Sequence, residues 1–584
     1  MKFYKIPFIW LLLPFILGIV SHELIPINFS HSFYLLIFFS STLTFIFFNK
    51  KVKFNFIVIL IFISICFFLA GQTIMSLENN NNIKNAPLEN FENCNYIGSI
   101  KELSITQSGY IKCIIQSKKE PSNQSKTYKR LLFIKLDNNK TNLTENSTII
   151  FNCKFEKIRN LGYPGEFDSE FYWKNKGINE IAFIPICNIK LIKKGNTSIF
   201  TPTYLRNKLL EILKSVLTGQ ELALANALIL GERNLLTNDT TQQFSNTGAM
   251  HILAVSGLHI GILLQILLKF LQPFQKLISK NKATILSLFI LWIYAITTGF
   301  SASVVRSVIM FSLISLGSIR GKKNSELNAL AFSALLILSW KPIFIYDVGF
   351  QLSYTAMLGI YLFYPFLKTV IVSRNKIIQL ITEGTMIGIA AQITTLPLTL
   401  YYFHQFPNYF ILTNIALMGF SFIILLLGLL LFCFYWIPLI KFMLGFILQK
   451  TMSLMLTIVS YLSNLPFATA NGFSFSKFMI LCLYIIIILL FISIVYKKIK
   501  LLYIVLINAT IISILIFQNR VENNIQSFKY THSTFKIIKS CSTNYFLFPS
   551  YSRNSNKSKR IIKDFTNLHP GKSVLIPTER LSHY

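Results

Sequence analysis

Charge is scarce in this sequence, and acid is scarcer still. Only 14% of the 584 residues are charged, against about a quarter in an ordinary soluble domain. Asp and Glu together number 23. None of the eight cysteines stands in a Cys-x-x-Cys pair, which excludes the zinc and redox motifs built on that spacing. The Gly-x-x-x-x-Gly-Lys-Ser/Thr loop is missing too, so the chain carries no P-loop motor of its own. No small-residue cleavage site follows the apolar stretch at residues 7–20, which therefore reads as a retained first span rather than a signal peptide.

What fills the sequence is apolar: 53% of residues are hydrophobic, with 54 Phe. These residues come in blocks. Residues 54–76, 378–403 and 408–434 are each long enough, at ~1.5 Å per residue, to cross ~30 Å of hydrocarbon. Lys and Arg number 56, which sets the net charge at +33. Cytoplasmic loop charge and a general Lys bias explain such an excess; so does attraction of a polyanion. Charge alone does not separate these readings.

The fold class that follows is a polytopic α-helical membrane protein with a small all-β domain, of OB type, inserted on the extracytoplasmic side. Blocks at 7–20, 32–48 and 54–76 open the chain. The loop Asn-Lys-Lys-Val-Lys between the second and third is basic, hence cytoplasmic, which puts the N-terminus inside and residues after 76 outside. Residues 1–78 form this N-terminal helical region. Residues 79–200 differ in kind, with Ile-, Phe- and Tyr-rich runs near 94–105, 110–117, 130–136, 148–157 and 181–193. Asp168 or Ser169 is placed to cap a short helix carrying Phe171, Tyr172 and Trp173. Cys94, Cys113, Cys153 and Cys187 in this domain are compatible with disulfides, in three connectivities, or with free buried thiols. Residues 201–247 read as amphipathic helices at the membrane interface or on the channel mouth. Ten spans are expected within 248–518, near 248–270, 283–299, 301–319, 325–345, 346–367, 378–403, 408–434, 442–465, 476–496 and 501–517. The basic loops at 276–282, 320–323, 368–376 and 497–500 then all fall inside. Residues 519–584 form a short basic extracytoplasmic tail.

Residues 229–264 contain His-Ile-Leu-Ala-Val-Ser-Gly-Leu-His-Ile-Gly at His251–Gly261. With T-G-F-S-A-S-V-V-R-S-V-I-M (298–310), D-V-G-F-Q-L-S-Y-T-A-M-L-G (347–359) and T-T-L-P-L-T-L-Y-Y-F-H-Q-F (394–406), followed by Asn414, it resembles the signature of the ComEC family of competence DNA-uptake channels. P-G-E-F-D-S-E-F-Y-W-K-N-K-G-I (164–178) is similar to the end of that family's external OB-type domain. The resemblance spans roughly residues 5–500. It implies an inner-membrane channel, not an enzyme, conducting single-stranded DNA into the cytoplasm. It also implies as partners an external DNA receptor and pilus machinery outside, and a DNA-translocating ATPase and single-strand-binding proteins inside. Contact with membrane lipid is expected, and a homo-oligomer is left open. Many relatives add a metallo-β-lactamase-like domain marked by a His-x-His-x-Asp-His cluster. Here only His532, His569 and His583 follow the last span, too far apart for a binuclear site. No metal or cofactor is expected, and strand degradation is assigned to another protein or module.

The residues of the motifs admit bland readings as well. His251 and His259, eight apart, lie ~80° apart on an ideal helix and do not make a metal pair. They either line a pore or pack in the bundle. Ser256 and Gly257 lack a nucleophile-elbow context; close helix packing or a helix break suits them better. Arg306 stands in an apolar run and needs a partner, either Asp347 or Glu383 or a passing phosphate. Gln351 and Ser353, and the stripe Gln392, Thr395, Thr399, serve interhelical hydrogen bonds or a wetted lumen. In the external domain Lys101, Lys112, Lys129, Arg130 and Lys135 lie among Tyr96, Tyr110, Tyr128, Phe133 and Trp173. This is the mixture with which OB-type domains hold single strands, although about half of so many aromatics must be core in so small a domain. The rival function is a secondary transporter or flippase for a small or lipid-linked substrate, which needs a coupling carboxylate; a membrane nuclease is the third.

Overall fold

A computed structural model describes residues 7–26, 28–48, 56–84, 93–106, 110–120, 127–135, 143–163, 166–195, 202–253, 255–276, 279–319, 326–369, 374–473, 475–525, 528–532, 535–540, 543–548, 556–568 and 572–577. Three helices open it: α1 (Pro7–Leu24), α2 (Phe29–Phe48) and α3 (Phe56–Lys84). α1 and α3 pack backbone to backbone because glycine faces the partner on both. A Cβ on Gly18 would strike the Phe68 carbonyl, and one on Gly71 the Phe15 carbonyl. Small residues at such crossings are what hold helices together where lipid supplies no hydrophobic drive.

Among the described residues the inserted β domain has seven strands where the sequence suggests five. They are β1 (Cys94–Ile105), β2 (Tyr110–Glu120), β3 (Tyr128–Lys135), β4 (Thr148–Cys153), β5 (Glu156–Lys157), β6 (Glu180–Pro185) and β7 (Ile189–Lys193), with the short helix α4 (Ser169–Lys174) before β6. The fifth run divides because Pro185 has no N–H for the ladder, and a 3-10 turn, Ile186–Asn188, follows it. The sheet order is β5-β6-β3-β2-β1-β4-β7, with β3 and β6 parallel and every other neighbour antiparallel. Alternate residues, among them Ile111, Cys113 and Ile115, turn into one core with Ile100, Leu132, Ile134 and Phe151. All four cysteines of this domain are free thiols. Cys94 and Cys153 are register partners on β1 and β4, and burial pushes Cys113 up to about 12.

Arg130 and Glu180 form a charge pair inside this domain. Arg130 donates from Nε to Glu180 Oε2 at 2.6 Å and from Nη1 to the Ser117 hydroxyl at 3.2 Å, with its plane against Tyr96 and Phe155. Glu180→Ala leaves the guanidinium buried and unpaired, so it is expected to destabilise the fold by about 3–5 kcal/mol. Replacing both residues with Met should restore most of that. Urea unfolding followed by Trp fluorescence checks both; equal stability of Glu180→Ala and the parent would show that solvent reaches the pair.

Residues 202–247, expected at the interface or on the channel mouth, and the start of the next stretch fold into short helices, part of which is buried in the bundle. They form α5 (Pro202–Lys214), α6 (Gly219–Ala225), a π-turn (Asn226–Leu230), α7 (Asn238–Asn246) and α8 (Met250–Leu253). Residues 223–230 read Ala-Leu-Ala-Asn-Ala-Leu-Ile-Leu, apolar on nearly every side, and such a segment is buried rather than laid on a surface. All eight are buried, and seven join Leu417, Ile424, Leu448 and Met452 in the largest core of the bundle.

Among the described residues ten longer helices follow, one in each of the ten apolar stretches: α9 (Gly257–Leu271), α10 (Lys280–Thr297), α11 (Ala302–Ile319), α12 (Glu326–Trp340), α13 (Val348–Leu367), α14 (Lys376–Phe403), α15 (Phe410–Phe434), α16 (Pro438–Ser463), α17 (Lys477–Tyr496) and α18 (Leu501–Ile525). Among the described residues, seven helical segments of the chain are long and apolar enough to cross a membrane. The protein is a polytopic helical membrane protein. A two-strand ladder of β8 (Gln405–Pro407) and β9 (Thr469–Asn471) ties the α14–α15 turn to the loop before α17. The tail is a small folded module: β10 (Phe528–His532), β11 (Phe535–Ser540), β12 (Thr543–Phe548), α19 (Asn556–Leu568) and β13 (Lys572–Pro577), in one sheet of that order. His569 and His583 lie outside the described residues.

Candidate functional site

The stretch expected as one span at 248–270 is broken, with α8 ending at Leu253 and α9 beginning at Gly257. Ser256 caps α9. Its backbone N–H donates to His259 Nδ1 at 2.9 Å, and its hydroxyl lies 3.0 Å from the same nitrogen. A neutral His259 whose Nδ1 accepts must carry its proton on Nε2. That Nε2 is buried and has no partner among the described residues. His251 Nδ1 instead lies 3.0 Å from the Gly248 carbonyl and its ring is exposed, so the two histidines serve different contacts. Gly257 allows close packing: a Cβ there would stand 2.9 Å from Ser307 Oγ on α11.

Arg306, on α11, is only 2% exposed. Its Nη2 donates to the Ser303 hydroxyl at 3.1 Å, and its guanidinium lies 5.1 Å from the Tyr354 ring centre on α13. The Tyr354 hydroxyl is in turn 3.1 Å from Ser333 Oγ on α12. Neither carboxylate expected to pair with Arg306 does so. Asp347 Oδ1 caps α13 by accepting from Phe350 N at 2.8 Å, and Glu383 takes Lys368 at 3.7 Å and Gln379 at 3.0 Å. Arg306 Nη1 has no partner among the described residues. A cation so placed costs about 2.5–3.5 kcal/mol on insertion scales, reduced here by one hydroxyl and one aromatic face. Tyr354 was not singled out in the sequence, although the need of Arg306 for a neighbour pointed to some such group.

The other polar positions divide between structural and open roles. Gln351 donates to the Ile345 carbonyl at 2.8 Å and accepts from Tyr402 at 2.9 Å. Thr395 and Thr399 return their hydroxyls to their own helix, at the Ala391 and Leu396 carbonyls. Gln392 and Ser353 are half-buried on α14 and α13. Asn414, on α15, has a buried Oδ1 without a partner among the described residues. α13 and α14 are stitched by Thr394, which donates to the Thr355 carbonyl at 2.7 Å.

In the β domain, Arg130 leaves the DNA-binding set expected from sequence because it is core, and Tyr96 is one of the aromatics that prove to be core. What stands outside is a cross-strand row. Lys112 is the register partner of Phe133, and Phe133 of Phe183. The two Phe rings stack at 5.0 Å and 15°, with the Tyr110 edge on Phe183. Phe183 is 64% exposed and was missed; its alternation with the buried Ala182 and Ile184 was the available signal. Lys112 Nζ lies 4.5 Å from the Trp173 ring centre, and Lys176 lies over both Tyr172 and Trp173. Burial, then Lys176, lowers the pKa of Lys112. Lys101 and Lys129 are exposed. Phe171 meets Tyr346 edge-on at 5.9 Å, which joins α4 to the turn before α13. Lys341 opens that turn; burial lowers its pKa, Glu78 opposes this, and Lys129 and Lys176 lower it further. Four lysines thus share the field between the sheet and the bundle.

Together these features define a membrane protein with an aromatic, basic β face joined to a helix bundle that holds a buried arginine with no ion pair among the described residues. Residues 228–497 match the Competence family, described as "Competence protein". The chain is 26% identical to ComE operon protein 3 of Bacillus subtilis over 265 residues, 45% of this chain and 33% of that protein. It is 26% identical to Recombination protein 2 of Haemophilus influenzae over 208 residues, 35% of this chain and 25% of the relative. An uncharacterized protein of Aquifex aeolicus is 30% identical over 161 residues, 27% of this chain and 37% of that one. The matches thus span little more than a third of each relative's length at most. No solved structure matches. Residues 228–497 thus form a Competence-family region, and the chain is similar to the competence proteins of the ComEC type.

Proposed function

We propose that this protein conducts one strand of DNA through the bacterial inner membrane into the cytoplasm during natural transformation, as a conduit and not an enzyme. The observation that carries this reading is Arg306, buried in the bundle with no partner for Nη1 among the described residues and no ion pair to Asp347, which caps α13, or to Glu383, which meets Lys368. A phosphate passing along the bundle supplies the missing acceptor. The relatives named for the competence operon and for recombination support uptake of DNA as the task. A secondary transporter would need a carboxylate free to couple, and Asp347 and Glu383 serve as a helix cap and a partner of Lys368.

In this reading the N-terminus is cytoplasmic, and the β domain and the tail module are both extracytoplasmic. The direct bond between Tyr163 and Asp564 supports one side for both, as does the even number of long helices, α9 to α18, between them. An OB-type barrel is supported by β1, which pairs with β2 along its length and with β4 over its first half, while β3 and β6 run parallel. The partners in this scheme are a DNA receptor and a retracting pilus outside, with a translocating ATPase and single-strand-binding proteins inside; lipid surrounds the bundle, and assembly as a homo-oligomer fits the scheme. Deleting the gene is expected to abolish arrival of labelled DNA in the cytoplasm while leaving surface-bound DNA unchanged. Undiminished arrival would refute the proposal.

The exposed face is the proposed first contact. Purified full-length protein in detergent is expected to bind a labelled single-stranded oligonucleotide, with affinity falling steeply as salt rises because condensed counterions are released. Phe183→Ala should weaken binding by about 1–3 kcal/mol, the value of one stacked base. Equal affinity of variant and parent at low salt would remove the Phe133–Phe183 pair from the path.

A further inference from the structure

We propose that the carboxy-terminal module, residues 528–577, is a strap that fastens the β domain to the loop end of the helix bundle, with Tyr163 as the positioning residue on which it closes. Tyr163 belongs to the loop between β5 and α4, yet it is only 5% exposed, because its ring completes the core of a module 401 residues away in sequence. It meets Phe535 edge-on at 6.1 Å within a cluster that includes Phe546, Phe548, Ile561 and Phe565. Its hydroxyl donates to Asp564 Oδ2 at 3.0 Å. Burial, then the Asp564 carboxylate, raises the Tyr163 phenol above its usual range, as expected of a bond made out of water.

The loop is shaped to present that ring. Glu166 accepts the backbone N–H groups of Leu161 and Gly162, folding the loop back on itself around Tyr163. Beside it Arg560 lies 3.6 Å from Asp564 and 5.9 Å from the Phe167 ring centre, so a second ring of the same loop meets α19. The far end of α19 reaches the bundle. The Gly472 N–H donates to the Asn567 carbonyl at 2.7 Å, just beyond β9. β9 is laddered to β8, where Gln405 donates to Ser245 at 2.7 Å, and His404 Nδ1 lies 2.9 Å from the Phe473 carbonyl. One helix therefore holds the β domain at residues 560 and 564 and the bundle at residue 567. The consequence is a fixed seat for the aromatic face, which a flexible connection would leave to wander. The inference concerns the closure of the module alone and stands apart from the transport reading.

The test uses the full-length chain in membranes. Phe167→Cys with Arg560→Cys places thiols on two exposed positions either side of the contact. A short bis-maleimide is expected to join them within one chain, giving a faster band on denaturing gels that neither single variant gives. Adding Tyr163→Ala should lower that yield about tenfold, while Tyr163→Phe, which keeps the ring and loses the hydroxyl, should retain most of it. A trypsin-resistant β domain in the Ala variant shows that closure, not folding, was lost. A pair that cross-links no more than the single variants, or a yield indifferent to Tyr163→Ala, would overturn the proposal. So would a fall with Tyr163→Phe as complete as with Ala, since it would make the ring irrelevant.

Discussion

Arg306→Met is expected to reduce cytoplasmic arrival of DNA to the level of a deletion strain while leaving the protein as stable as before, or more so. The two effects separate because the guanidinium forms no ion pair with a carboxylate among the described residues. Replacing a buried charge with an apolar side chain of similar length is commonly neutral or stabilising, by about 1–4 kcal/mol. A residue kept for packing would show the reverse, loss of stability with function following it. Arg306→Lys should keep part of the uptake, since an ammonium still meets a phosphate as a point charge, though it loses the fork and the flat contact with Tyr354. Labelled-DNA uptake and the melting temperature of the detergent-purified protein give the two readings. Wild-type uptake by Arg306→Met would remove this residue from the pathway.

Gly359→Val is expected to cost about 3 kcal/mol or more and to leave little monodisperse protein. Gly359 lies on α13 where α14 crosses closest, and a Cβ there would overlap the Ala390 carbonyl oxygen and the Thr394 hydroxyl. A carbonyl held in a helix cannot rotate away, so the helices must part. Parting them breaks the Thr394 to Thr355 bond and disturbs the seat of Gln351 against Tyr402. Gly419→Val is the matched control, since nothing lies within 4 Å of its added Cβ. Size-exclusion profiles of the two variants decide the matter. Equal recovery would mean that α13 and α14 slide without loss.

Much of the architecture was legible because it depends on local pattern. A run such as 410–434 carries no charge, and a chain segment of that kind has no stable place in water. The Ile-rich run near 110–117 announced a strand whatever it paired with. Ser256 and Gly257 announced a break or a close contact, and the structure has both. The site was less legible. Arg130 and Lys129 are neighbours of the same sign in one basic run, yet one is core and the other surface, and only the acid at position 180, on a parallel strand, separates them. The stretch 203–236 looked interfacial because its apolar residues recur at helical spacing in a segment too polar to span, and the helices that cover residues 223–230 lie some two hundred residues further on.

By itself the sequence determined the membrane class, the sites of the ten long helices, the strand-rich insert and the motifs shared with the competence proteins. The first three follow from the hydropathy and spacing of residues within one turn or one strand; the motifs were read by resemblance. The tertiary structure alone decided that Arg306 lies on Tyr354 rather than on Asp347, that Arg130 is spent on Glu180, and that Tyr163 belongs to the core of the tail. In each case the deciding partner is a short-range contact between residues from 48 to 401 positions apart, or its absence. Hydrogen bonds and ring contacts act over a few ångströms, so which of several suitable partners is used depends on how the helices and strands pack, and no local pattern encodes that.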